Sequence, residues 1–174
     1  MTRTQRNTTL TLLLLTAAIV GALVERTPSP SSQIPTDQAL SGTVLTVADG
    51  DTMTLRVDGQ KVKVRLQGID CPERQQAYGQ EAGDFIRDQV QGKQVEVRKL
   101  GVDQYDRVLG EVFLNGENLN KELLREGLAW WYEKHARDRT DYRDLQDEAK
   151  REGRGLWSDP DAIPPWEFRW RERE

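Results

Sequence analysis

Apolar and polar positions alternate from Gly42 to Ile69 in three short runs separated by turn dipeptides. Thr43 to Ala48 ends at Asp49-Gly50, and Met53 to Val57 ends at Asp58-Gly59. The third run, Lys61 to Ile69, sets Val62, Val64 and Leu66 against polar neighbours. Alternation of period two punctuated by Asp-Gly predicts strands joined as hairpins. Tyr78 to Val90 changes to helical spacing, with Ala82, Phe85, Ile86 and Val90 on one face. Alternation returns at Gln94 to Leu100 and again at Val108 to Leu114, closed by Asn115-Gly116. Asn118 is a candidate N-cap for a helix carrying Leu119, Leu123, Leu124 and Leu128, with Gly127 near its stop. A last helix is expected over Asp141 to Arg151, with Tyr142, Leu145 and Ala149 inward and Gly153 at its end. Five strands and about three helices in this order predict an α+β domain with a mainly β core. A meander interrupted by helices suits a five-stranded barrel of the OB type.

The two ends of the chain break this pattern. Arg3 and Arg6 precede a 15-residue apolar run, Leu10 to Val24. Positive charge followed by a short apolar stretch is the layout of a signal peptide, so residues 1–24 are expected to direct export. Uncleaved, residues 8–24 would tether the chain to a membrane. Residues 25–41 are rich in Pro, Ser and Thr and read as a linker, which leaves 42–159 as the domain and 160–174 as an aromatic and basic tail. The expected location is secreted, periplasmic or at the outer face of the cytoplasmic membrane.

Composition narrows the chemistry. A single Cys in 174 residues excludes a disulfide framework within the chain, and a single His excludes a His-rich metal centre. Net charge is −4, and without the leader 23 basic residues stand against 29 acidic ones. A broad electropositive field of the kind that marks many nucleic-acid binders is therefore lacking. What remains is carboxylate and guanidinium chemistry with a hard metal ion. Two acidic clusters flank the first meander, Asp49-Gly50-Asp51-Thr52 and Ile69-Asp70-Cys71-Pro72-Glu73. Carboxylates converging from strand ends suit Ca²⁺, although turn chemistry alone explains Asp49-Gly50-Asp51 equally well. Arg65 lies five residues before Asp70, and Arg107 begins another strand. Paired guanidiniums beside a divalent cation suit the charge that grows on a phosphodiester under attack by water.

Asp-Gly-Asp-Thr, then Arg-Leu-x-Gly-Ile-Asp-x-Pro-Glu, then Tyr-x-Arg and a closing Gly-Leu-Trp-Ser resemble the thermonuclease family, whose prototype is staphylococcal nuclease. The resemblance spans about residues 42–159. It implies an OB-fold barrel with helices and a Ca²⁺-dependent hydrolase of DNA and RNA that cuts the P–O5′ bond and leaves 3′-phosphates. It implies Asp51 and Asp70 as metal-binding carboxylates, with Cys71 contributing its backbone carbonyl and Thr52 in support. Arg65 and Arg107 would clamp the phosphate, and Glu73 would position or deprotonate the attacking water. Trp130 and Tyr132 fall where the family places aromatic rings beside the nucleotide. The chain departs from the prototype at Cys71, which replaces threonine, and at Gln104, which replaces a phosphate-contacting lysine. The loop Arg74 to Ala77 is also shorter and poor in lysine. A monomer is expected. Two alternatives stay open: a catalytically silent OB module that binds single strands or a protein partner, and a phosphodiesterase for small nucleotides.

Overall fold

The structure is a computed structural model and describes residues 38–173. The leader and residues 25–37 of the linker lie outside the described residues. Each alternating run forms a strand. β1 (Ala39–Val47), β2 (Thr52–Val57) and β3 (Gln60–Leu66) are an antiparallel meander. After the two-residue strand β4 (Ile69–Asp70) and helix α1 (Gly79–Val90), β5 (Gln94–Val102) pairs with both β1 and β6 (Val108–Leu114). The sheet closes where β3 runs parallel to β6, Val64 opposite Val108 and Leu66 opposite Gly110. The resulting order, β3-β2-β1-β5-β6 and back to β3, is the closed five-stranded barrel of an OB-type α+β fold.

Burial follows the alternation. Val44, Met53, Leu55, Val64, Leu66, Val95, Val97 and Val112 point into one core. The Asp58-Gly59 and Asn115-Gly116 hairpins have all four residues at positive φ, which the twist of tightly turned strands demands and which Asp, Asn and Gly tolerate. α1 adds Ala82, Ile86 and Val90 to the core. After β7 (Glu117–Asn118), α2 (Leu119–Arg125) adds Leu119, Leu123 and Leu124; the Asn118 side chain caps it by accepting from the Lys121 N–H at 3.1 Å. α2 is riveted to the barrel seam by Asn120, whose amide donates to the Gln67 carbonyl and accepts from Val112 N–H.

Beyond α2 the chain forms β8 (Trp130–Trp131), α3 (Glu133–Ala136), α4 (Thr140–Glu152) and α5 (Pro165–Arg171). α4 packs on α2 and ends at Gly153, which is left-handed. Three features extend the sequence expectations. β1 begins at Ala39, so Ala39 to Ser41 are strand rather than linker; they pair with Glu96 to Arg98 on the edge of β5, which supplies the ladder that local composition does not announce. α3 is too short to show a helical period. α5 turns part of the expected tail into a helix started by Pro165, whose missing N–H costs nothing at the first turn. Among the described residues, no helix is long and apolar enough to cross a membrane.

Candidate active site

The two acidic motifs meet because of a glycine. A Cβ on Gly50 would lie 2.8 Å from both the Cys71 Sγ and the Ala82 Cβ, so the Asp49-Gly50-Asp51 turn can press directly against the end of β4. Ala48 N–H to the Thr52 carbonyl closes the turn, and Asp49 Oδ1 accepts from the Asp51 N–H at 3.1 Å. Asp51 Oδ2 then accepts the Cys71 N–H at 2.8 Å, while Thr52 donates its hydroxyl to Asp51 Oδ1. β4 is held in place from the other side by β8, Asp70 opposite Trp130.

Arg65, at the end of β3, spans the two acids. One guanidinium nitrogen lies 2.5 Å from Asp51 Oδ2 and the other donates to Asp70 Oδ1 at 2.7 Å. Asp51 and Asp70 are 5% and 1% exposed, so three charges are almost removed from water. Burial pushes the Asp51 carboxyl up to about 6; Arg65 pulls the other way and Asp49 adds to the rise. Burial raises Asp70 as well, against its hydrogen bonds from Arg169 and the charge of Arg65. Burial also lifts the Cys71 thiol well above its usual value. Its Sγ lies against the Gly50 turn, and as a buried neutral thiol it is no nucleophile.

These groups line a cleft of about 450 Å³ that also takes in Glu73, Arg107, Tyr132 and Arg169. Arg107 lines the same cleft from the residue just before β6, the strand that closes the barrel beside β3. Its Nε donates to Asp103 Oδ2 at 2.8 Å, and its N–H donates to Asp103 Oδ1. Glu73 follows Pro72 in the loop before α1. Tyr132 faces the cleft with its ring stacked on Trp166 at 5.2 Å and 24°. Trp130 does not line the cleft; it packs edge-on against Trp157 and Trp166. Trp170, in contrast, is 61% exposed and leaves the barrel, because α5 turns its Trp166 face inward instead. His135 is exposed at the cleft rim, 4.9 Å from the Tyr132 ring.

Sequence reasoning missed two side chains here. Asp103 orients Arg107 and lies four residues before it, a spacing that a tight loop allows but does not announce. Arg169 reaches the cleft from α5 and bridges Asp70 and Glu73. The only sequence signal for it is the alternation of aromatic and basic residues in the tail.

The donor set suits a hard divalent cation. Asp51 and Asp70 are oxygen donors lodged in a site where burial opposes their ionisation, a cost that a cation would offset. Among the described residues no cluster of three or more His, Cys, Asp or Glu could hold a metal ion by itself. A cation here would complete its coordination with backbone carbonyls and water, as calcium commonly does.

Comparison with known proteins agrees with this geometry. The sequence pattern described as Staphylococcal nuclease homologue matches residues 63–159. An "Uncharacterized endonuclease" of Escherichia coli is 41% identical over 133 residues, covering 76% of this chain and 86% of that protein. A "Micrococcal nuclease" of Shigella flexneri is 36% identical over 147 residues, covering 78% of this chain and 84% of its own. An "Uncharacterized endonuclease" of Haemophilus influenzae is 38% identical over 131 residues, covering 75% and 73%. An OB-type barrel with two acids and two arginines at one cleft, matched over more than half its length by one family pattern, belongs to the staphylococcal nuclease homologue family.

Proposed function

We propose that the chain is an exported, calcium-dependent nuclease that hydrolyses the P–O5′ bonds of DNA and RNA and leaves 3′-phosphate ends. Family membership supports phosphodiester hydrolysis; the observation that carries the finer reading is the gathering of Asp51, Arg65, Asp70, Glu73 and Arg107 around one cleft. Burial opposes the ionisation of Asp51 and Asp70, and a bound cation would offset that cost.

In this reading Asp51, Asp70 and the Cys71 backbone carbonyl hold Ca²⁺, with the Thr52 hydroxyl keeping Asp51 oriented. Bound calcium supplies Lewis-acid polarisation of a phosphoryl oxygen. Arg65 and Arg107, both lining the cleft, would donate to the other phosphoryl oxygens, and their hydrogen bonds would strengthen as negative charge builds during attack. Arg65 is pre-aimed by two carboxylates and Arg107 by Asp103, so neither has to be ordered when substrate arrives. Glu73 accepts a proton from the attacking water or aligns it. Tyr132 offers a ring at the cleft wall for a base, and Trp130 supports the wall from behind. Residues 1–24 carry the chain out of the cytoplasm, with 8–24 as a tether where the leader is kept, and the enzyme acts as a monomer.

The test is cleavage of single-stranded DNA by the full chain with calcium, with chelator, and with Glu73→Gln. Cutting that needs calcium, leaves 3′-phosphates and slows by about 10²-fold or more in the variant is expected. DNA that is bound but left intact in every condition supports a silent binding module instead. Dinucleotides cut faster than long DNA would point to small nucleotides as the substrate.

A further inference from the structure

We infer that α5 completes the active site, with Arg169 as a positioning residue that fixes the Glu73 and Asp70 carboxylates. The inference rests on the nuclease reading above. Arg169 lies ten residues beyond the end of the matched family segment, residues 63–159. Its Nη1 donates to Glu73 Oε1 at 2.8 Å and to Asp70 Oδ1 at 3.3 Å, and its Nη2 donates to Asp70 Oδ2 at 2.8 Å. One planar fork thus spans the carboxylate that handles water and a carboxylate that holds the cation. A lysine offers a point charge in place of that fork.

Two further contacts tie the same tail to the same loop. The Gln76 side chain accepts the Glu73 N–H at 2.7 Å and donates to the Ile163 carbonyl at 3.1 Å, so the backbone of Glu73 is strapped to the segment leading into α5. Tyr78 at the far end of that loop shares a hydrogen bond with Ser158 at 2.7 Å. α5 itself is fixed by a buried Pro165 and by Trp166, which packs against Trp130 and stacks on Tyr132. The loop from Pro72 to Tyr78 has no helix or strand of its own to hold it. Glu73 is a third exposed and would otherwise sample several rotamers. A latch that leaves when substrate binds would have to give up the ring stacking, the Gln76 strap and both carboxylate contacts together. A permanent strut keeps them all.

The experiment compares the full-length parent with Arg169→Ala, Arg169→Lys and Trp166→Ala by steady-state cleavage of DNA, calcium-titration calorimetry and thermal melting. Arg169→Ala is expected to lower kcat by about 10–100-fold with KM nearly unchanged, and to weaken calcium binding, while the melting transition stays cooperative. Arg169→Lys recovers part of kcat by restoring the charge. Trp166→Ala, which keeps the guanidinium but loosens the helix that carries it, shows a smaller loss of kcat of the same kind. Parental kcat in Arg169→Ala, or calcium binding that tightens, overturns the inference; the tightening would mark Arg169 as a competitor of the cation. A parent that fails to cut DNA with calcium removes the nuclease reading and this inference with it. An active parent matched by Arg169→Ala removes only the role of Arg169.

Discussion

Among the described residues, two sets of buried carboxylates with their arginines stand out, and their charge balances differ. On β6, the fully buried Glu111 lies between Arg139, 2.5 Å from Oε1, and Arg98 on the other side. Tyr142 donates to it at 2.9 Å and Asn118 at 3.3 Å. One carboxylate thus has two guanidiniums and two further donors, and the cluster binds β5, β6 and the start of α4 into one unit. In the cleft, Arg65 and Arg169 serve three carboxylates, Asp51, Asp70 and Glu73, with Asp49 close behind. The first cluster sets a guanidinium on each side of its one carboxylate and joins neighbouring elements. In the second, three carboxylates share two guanidiniums, a local surplus of negative charge that suits the proposed cation. A buried ion pair is weak evidence of function by itself; the sign of the local surplus is what separates these two.

Substitution at each cluster breaks the comparison in a different observable. Arg65→Ala is expected to cut the cleavage rate by about 10²–10³-fold, or about 3–4 kcal/mol of barrier, measured with calcium on single-stranded DNA. Glu111→Gln should leave the folded enzyme's rate within about threefold of the parent, yet cost about 1–3 kcal/mol of stability in denaturant melts, because two part-buried guanidiniums lose the charge of the anion between them. A large loss of rate in Glu111→Gln, with stability intact, would erase the distinction. Arg65→Ala should also be destabilised by about 3 kcal/mol in chelator, since Asp51 and Asp70 then repel across the gap. Added calcium should restore part of that loss by binding only the folded state.

The pH dependence separates the clusters further. Burial raises the folded-state value of Asp51 above its unfolded value of 3.8, to about 6. The stabilisation from its proton is therefore complete below the unfolded value and is lost as pH rises through about 6. In chelator the melting temperature should fall from pH 4 to pH 7 more steeply for the parent than for Asp51→Asn. Burial raises Tyr142, with Arg139 opposing, up to about 12. Its contribution is present below 10 and lost as pH rises through about 12, so Tyr142→Phe should flatten the alkaline limb alone. The smallest effect belongs to Arg137→Ala. Its pairing with Glu133 at 3.9 Å is largely exposed, and neither the melting temperature nor the rate should move measurably.

The barrel was legible because its strands face solvent on one side only, so Val44, Leu55, Val64 and Val97 alternate with polar neighbours and turn residues mark the hairpins. The closing pairs of β3 with β6 were not legible, since a parallel contact between distant strands leaves no local mark. The candidate residues around Arg65 were findable because four of them, Arg65, Asp70, Cys71 and Glu73, fall within nine residues, and a glycine lets a fifth, Asp51, pack against them. Asp103 and Arg169 escaped for the opposite reason. Asp103 acts through a loop hydrogen bond, and Arg169 reaches Asp70 across 99 positions of sequence from a short helix held by tertiary contacts that leave no local pattern.

Calcium-titration calorimetry on the full-length chain tests the charge argument most directly. One calcium per chain is predicted for the parent and for Glu111→Gln, with markedly weaker binding in Asp51→Asn and in Asp70→Asn. A parent that takes up no calcium, or binding equally strong in both aspartate variants, would contradict it.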